Sequence, residues 1–344
     1  MSYFSERYSL REIVLSLCLI FCTSPAYADS LIPESERRNT EQTYLTYPEW
    51  FLVHSPAEYA ELTKDHPAHD FPFIGHVGQL WSSYSAVTKK QVESDYPANA
   101  GYHAMIMVIA SSTTLEYGIR SLYENTVGRT SYILSSKRMS EEEIIGAEIA
   151  QQYVDFIRRE PWYLFDFQSS LKRLWSETSV FGSQPLRKLE RRYALTTEYV
   201  VKAIYAKLIE LATRAAYEEA KMTTWVVVSE FDAHSQLPAE VKLEKDLGDG
   251  KAMLVLPRYE GFWHAAQLLA KQGVNFVDIA GNDSNILVSS WCPVGSDVDE
   301  SFSLLFRQAL ISHPHLERRA LEVPVKKLSA YLRTNTQIEH VYDY

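Results

Sequence analysis

Seven polar side chains stand where the surrounding sequence is otherwise apolar or aromatic: Glu49, His54, His103, Glu116, Tyr117, Arg120 and Glu124. An ionised group in such surroundings is costly unless it is paired and hydrogen-bonded. Glu116, Arg120 and Glu124 follow one another at intervals of four, so pairing along one helix face is expected. Two readings follow. In the structural one, a buried ion-pair network fixes how helices pack. In the functional one, Arg120 holds an anionic group, Glu116 acts as base or acceptor, and His54 or His103 assists, as in a hydrolase.

The other chemistry-bearing residues read more plainly. His66, His69 and His76, with Asp65 and Asp70, lie in or beside one loop, but their spacing is no helix-borne metal pattern, and no HExxH occurs. There is no Walker loop, no G-x-S-x-G elbow and no G-x-G-x-x-G after a strand, so neither a cofactor nor a metal is implied. Cys18 and Cys22 fall in the N-terminal segment, which leaves Cys292 with no intrachain partner.

The elements that must position these residues begin with a long helix. The stretch 185–221 opens with Pro185 and then runs without Gly or Pro, and Leu186, Leu189, Tyr193, Thr197, Val200, Ile204, Leu208, Leu211 and Ala215 repeat at intervals of three and four. At ~1.5 Å per residue this predicts a helix of roughly 54 Å whose apolar stripe is the core around which a helical domain folds. The basic cluster Arg187, Lys188, Arg191 and Arg192 on its first turns reads as a solvated face or as partners for the acidic excess. Residues 104–110, apolar all round, predict a helix segment buried on every side. Ser55-Pro56-Ala57-Glu58 and Ser140-Glu141-Glu142-Glu143 are capping boxes that predict helix starts. Further helices are expected from about 73 to 92 and from 162 to 177.

After residue 221 the period changes. Strands are expected at 223–231, 253–256, 274–280, 286–291, 320–323 and 338–342, with helices at 261–272 and 325–334; 301–311 is helix or strand, and 238–249 a polar connection. The β-α-β-β-(insert)-α-β order predicts a ferredoxin-like sandwich, with 274–280 and 286–291 as a hairpin. No internal repeat is visible. The expected fold class is therefore α+β: a helical domain over 44–221, then a small α/β sandwich over 222–344.

The N-terminus carries the strongest single signal. Arg7 and Arg11 precede an apolar run from Ile13 to Cys22, then Ala26-Tyr27-Ala28 and Asp29. This is the order of a secretory signal, with cleavage expected after Ala28; the alternative is a membrane anchor through residues 13–28. Residues 29–43 read as a mobile mature N-terminus. The formal net charge of −10 speaks against a nucleic-acid role. The expectation is an exported envelope protein, non-catalytic, binding or scaffolding a membrane-surface or protein partner. The alternatives are a hydrolase using the Glu116/Arg120 pocket and a binder of a lipid or other small apolar or anionic ligand, which needs an elongated cavity between the long helix and residues 104–110.

Overall fold

Nearly the whole of one helix is buried, and it carries two prolines. Gln42–Thr63 (α1) buries Tyr44, Tyr47, Trp50, Phe51, His54, Ser55 and Glu58 among others. Pro48 and Pro56 lie inside it, so the expected helix start at Pro56 is a point within a continuous helix, and the Ser55 hydroxyl bonds Tyr117 Oη (2.7 Å) where a cap would have used it. The computed structural model describes residues 30–179, 181–216, 221–232 and 236–343, with the side chains of 212–216 also outside the description. The signal or anchor segment lies outside the described residues. Where a mobile arm is expected, Ile32 is fully buried and the Arg38 N–H donates to the Ala280 carbonyl (2.8 Å).

The helices that follow are Phe73–Glu93 (α2), Ala100–Tyr123 (α3), a π turn Glu124–Gly128, Arg129–Leu134 (α4), Glu141–Ile157 (α5), Phe167–Glu177 (α6) and Pro185–Ala216 (α7). The Ser140 capping box is present, both reciprocal bonds made. Strands begin at Thr223 and form two antiparallel four-stranded sheets. The first contains Thr223–Ser229 (β1), Lys242–Gly248 (β2), Lys251–Pro257 (β3) and, after Glu260–Lys271 (α8), Asn275–Ile279 (β4), in the order β2-β3-β1-β4. The second contains Asn285–Pro293 (β5), Ser303–Ala309 (β6), Leu316–Pro324 (β7) and, after Val325–Thr334 (α9), Ile338–Val341 (β8), in the order β6-β7-β5-β8.

The single ferredoxin-like sheet is therefore not what forms. Its elements occur in the expected order, but β3 and β4 belong to one sheet, β5 and β8 to the other, and β4 pairs with β1, leaving β5 to β7 and β8. The structure instead shows a repeat that the sequence conceals. Each half is β-β-β-α-β with the same strand order. The register slips between Val227 and Val228 against β4, and, sixty-two positions on, between Ser289 and Ser290 against β8. The third strand of each half ends in proline, Pro257 and Pro324. Ala266, Leu269 and Ala270 of α8 and Leu328, Tyr331 and Leu332 of α9 lie in one core between the halves. β2 replaces an expected connection; its KLEKDLG sequence is exposed almost throughout, so no alternation marks it.

α1 lies across the outer face of the second sheet. Thr43 Oγ1 accepts from the Leu287 N–H (2.9 Å) and donates to the Tyr342 carbonyl (2.7 Å), and Tyr44 and Tyr47 donate to Glu322 and Gln308 (both 2.7 Å). Its other side packs on α2, α3 and α5; residues Ile32–Tyr344 form one compact unit.

The long helix is inverted relative to expectation. Arg187, Lys188, Arg191 and Arg192 are buried, while Leu186, Leu189, Tyr193, Val200, Ile204, Leu208 and Leu211 are exposed, Leu189 to 67%. The reason is the row of carboxylates beneath it. Arg187 Nε meets Glu143 (3.0 Å) and its Nη1 meets Glu190 (3.0 Å) and the Gly128 carbonyl (2.8 Å); Arg191 meets Glu124 (3.0 Å), Arg192 meets Glu142 (3.0 Å) and Lys188 meets Glu141 (2.7 Å). The first turn of α5 thus caps its own helix and receives the arginines. A Cβ on Gly128 would come within 2.5 Å of Glu124 and 3.0 Å of Arg191, so any larger residue would have to displace that buried ion pair. Residues 104–110 differ in the same sense: Ile106 and Ala110 are buried, but Met105, Met107 and Val108 face outward.

Two substitutions read this inversion in denaturant unfolding. Arg187→Met strips the Glu143 carboxylate of its partner and is expected to cost about 3–5 kcal/mol. Leu189→Gln is expected to stay within about 0.5 kcal/mol of the parent; a core leucine would lose several times that.

Candidate functional site

The seven expected residues divide among five places. Glu116, Tyr117 and Arg120 line one cavity, bounded by α1, α3, α5, the aromatic turn 162–167 and α7. The cavity holds about 180 Å³ and is mostly apolar, with Phe51, Ile109, Ile149, Ala150 and Leu195 in its wall. One rim carries a balanced quartet of charge. Arg120 reaches Glu116 (3.5 Å) and Glu198 (3.4 Å), and Lys202 reaches Glu198 (2.6 Å) and Glu116 (3.9 Å). The Arg120 guanidinium also lies over the rings of Tyr59 (4.6 Å) and Phe73 (5.0 Å), and Lys202 over Tyr153 (5.4 Å).

Arg120 therefore pairs with Glu116 as expected, but its second carboxylate is Glu198 of α7, not Glu124. Glu124 opens the π turn and points to Arg191. Burial pushes the Glu198 carboxyl up, but Arg120 and Lys202 outweigh it and bring it down to about 2. Burial holds the Tyr117, Tyr153 and Tyr199 phenols well above their usual range. Neither Glu198 nor these tyrosines are poised to exchange protons near neutral pH.

His54 lies elsewhere, in a polar cleft of about 540 Å³ between α1, the end of α5, α8 and the second sheet. Its Nδ1 is 3.3 Å from Glu339 and its Nε2 2.9 Å from Tyr342 Oη. Glu339 also takes two bonds from Arg318 (2.6 and 2.7 Å), and Arg318 reaches on to Glu58 (3.3 Å), which accepts from the Ile311 N–H (2.8 Å). Burial raises the Glu339 carboxyl, but Arg318 and then His54 override it and bring it down to about 2. Burial pushes the imidazole of His54 down to about 3, against the pull of Glu339. Neutral His54 beside an ionised carboxylate must carry its proton on Nδ1, so Nε2 accepts from Tyr342.

Glu49 and His103 stand apart from both. Glu49 faces a shallow pocket with Arg258 and Tyr102, and burial pushes its carboxyl up to about 7 against the Tyr102 hydrogen bond and Arg258. His103 Nδ1 is 2.8 Å from Tyr84 Oη. The histidines of the 65–76 region do not converge: His66 is exposed and His76 is buried against Phe71. Among the described residues no group of three His, Cys, Asp or Glu side chains is arranged to hold a metal, and no helix is long and apolar enough to cross a membrane.

The residues that sequence reasoning missed are Glu198 and Lys202 at the cavity, and Glu58, Arg318 and Glu339 at the cleft. Glu198 and Lys202, four apart on the long helix, were the one legible signal. Comparison of the chain with protein-family models, with curated proteins and with solved structures found no match.

The His54 network sets an acid limb on stability. In the unfolded chain His54 takes a proton as pH falls through about 6.5, and in the native protein only near 3, so stability is complete above 6.5 and is lost as pH drops toward 3. Unfolding measured from pH 4.5 to 6.5, above the Glu339 window, should give a slope shallower in His54→Asn than in the parent by up to about 1.4 kcal/mol per pH unit. Equal slopes would contradict a neutral buried His54.

Proposed function

We propose that this is a non-catalytic binding protein that takes the apolar part of a small amphipathic molecule into the cavity between α3 and α7, at a membrane surface in the cell envelope. The observation that carries the reading is the pairing of an apolar cavity with apolar outer faces on the two helices that flank it. On α3 the outward residues include Val108, Leu115, Ile119 and Leu122; on α7 they are the stripe from Leu186 to Leu211. Soluble proteins seldom leave so much apolar side chain uncovered without a partner. A shallow groove lined by Val127, Leu134 and Leu186 joins the end of the π turn and α4 to the start of that stripe.

Size and charge narrow the ligand. An apolar cavity of about 150 Å³ takes up benzene, so 180 Å³ suits a ring or the end of one acyl chain, with the rest of the molecule emerging. The charge quartet is already balanced two against two, which favours a neutral or zwitterionic polar end over the anionic group expected for Arg120. The hydrolase alternative lacks support here, since His54 and His103 both stand outside the cavity that Glu116 and Arg120 line. Export through residues 1–28 would bring the chain to that surface.

An apolar fluorescent probe, N-phenyl-1-naphthylamine, should bind saturably, and Ala150→Trp, which fills the cavity, should weaken it at least about tenfold, or ~1.4 kcal/mol, with the circular dichroism unchanged. Unchanged probe affinity in Ala150→Trp would remove the cavity reading. In vesicle flotation with phosphatidylethanolamine and phosphatidylglycerol, the parent should float, and Leu115→Glu combined with Leu189→Glu should stay in the soluble fraction.

A further inference from the structure

The cleft around His54 holds more hydrogen-bonding capacity than the protein uses. Its carboxylates are each matched: Glu61 with Lys64, Glu260 with Arg159, and Glu58 and Glu339 with Arg318. Three of its basic side chains keep unused nitrogens. Arg318 is 1% exposed, lines the cleft, and leaves Nη1 with no hydrogen-bond partner. His340, also 1% exposed and lining the cleft, has neither ring nitrogen bonded. Arg158, half-buried on the α5 side, has no side-chain partner among the described residues. Buried donors without partners are uncommon in folded proteins and cost free energy when left so.

The unused groups are mostly donors, two of them guanidinium, so the complement is a group rich in acceptors. The two carboxylates tied to Arg318 stand against a doubly charged anion, which leaves a singly charged one. The remaining walls are aromatic: Trp50, stacked on His340 at 3.5 Å, with Trp263 and Trp291. Such walls favour a flat apolar body on the ligand.

We propose that this cleft is a second binding site, independent of the helical cavity, for a small monocarboxylic acid with a planar apolar body, its carboxylate held by Arg158 and the free Nη1 of Arg318 and its ring against the tryptophans. Neutral His340 supplies the one further N–H. Both nitrogens of His54 are already engaged, so His54 helps to frame the site and is not free to act as a base in it.

Benzoate and its uncharged isostere benzamide make the test. Titration of the purified chain with benzoate should quench tryptophan fluorescence saturably and raise the melting temperature, and benzamide should bind at least about tenfold more weakly. Arg158→Gln, at a half-exposed side chain, should lower benzoate affinity about tenfold or more with the melting temperature of the free protein unchanged. Ala150→Trp should leave benzoate affinity intact, since that residue lines the other cavity. No saturable benzoate binding, equal affinity for benzamide, or insensitivity to Arg158→Gln would overturn the proposal. Loss of benzoate binding in Ala150→Trp would place the acid in the helical cavity and overturn it equally.

Discussion

Four basic side chains on one turn and a half of helix, facing inward onto carboxylates, determine how the helical half of this protein is built. Arg187, Lys188, Arg191 and Arg192 meet Glu143, Glu190, Glu141, Glu124 and Glu142 in a layer that is buried except at Glu141. Charges so placed cannot be exposed on one side without stranding those opposite. Once they are committed to the interior, the apolar residues on the opposite face of α7 have only the outside left. The apolar stripes and the cavity between α3 and α7 follow from that commitment.

A second layer of the same kind joins α1 to the second sheet through His54, Glu339, Arg318 and Glu58. Both layers use arginine, whose planar fork can satisfy two carboxylates at once. Arg318 does this for Glu339 and Glu58, and Arg187 for Glu143 and Glu190. Stability in such a design comes with geometric specificity, because each guanidinium accepts only one arrangement of its neighbours.

The elements themselves were largely legible. The helix over 325–334, the strand from Thr223 and the capping box at Ser140 all appear where pattern and capping chemistry place them. What the pattern could not give was direction. Periodicity locates an apolar stripe on α7 but is silent on whether the stripe faces a core, and the buried arginines depend on carboxylates 44 to 67 positions away. The π turn at Glu124 is equally invisible, and it is there that the expected Arg120–Glu124 pair is replaced by Arg120–Glu198. Glu116, Tyr117 and Arg120 were found together because they share one helix. Glu339 and Arg318 were not, because strands far apart in sequence bring them to His54. The division of the strands into two repeated sheets was hidden because β2 lacks alternation and the two halves share topology while differing in side chains.

The orientation of α7 is the claim on which the cavity, the exposed stripes and the binding reading all rest. Single cysteines scanned along α7 in a Cys292→Ser background, labelled with a maleimide in detergent-free buffer, measure it directly. Fast reaction at positions 189, 193, 200, 204 and 208, with slow reaction at 195, 199, 203 and 206, is the predicted pattern. Protection of the leucine stripe and rapid labelling of the opposite face would show that the helix packs the other way round.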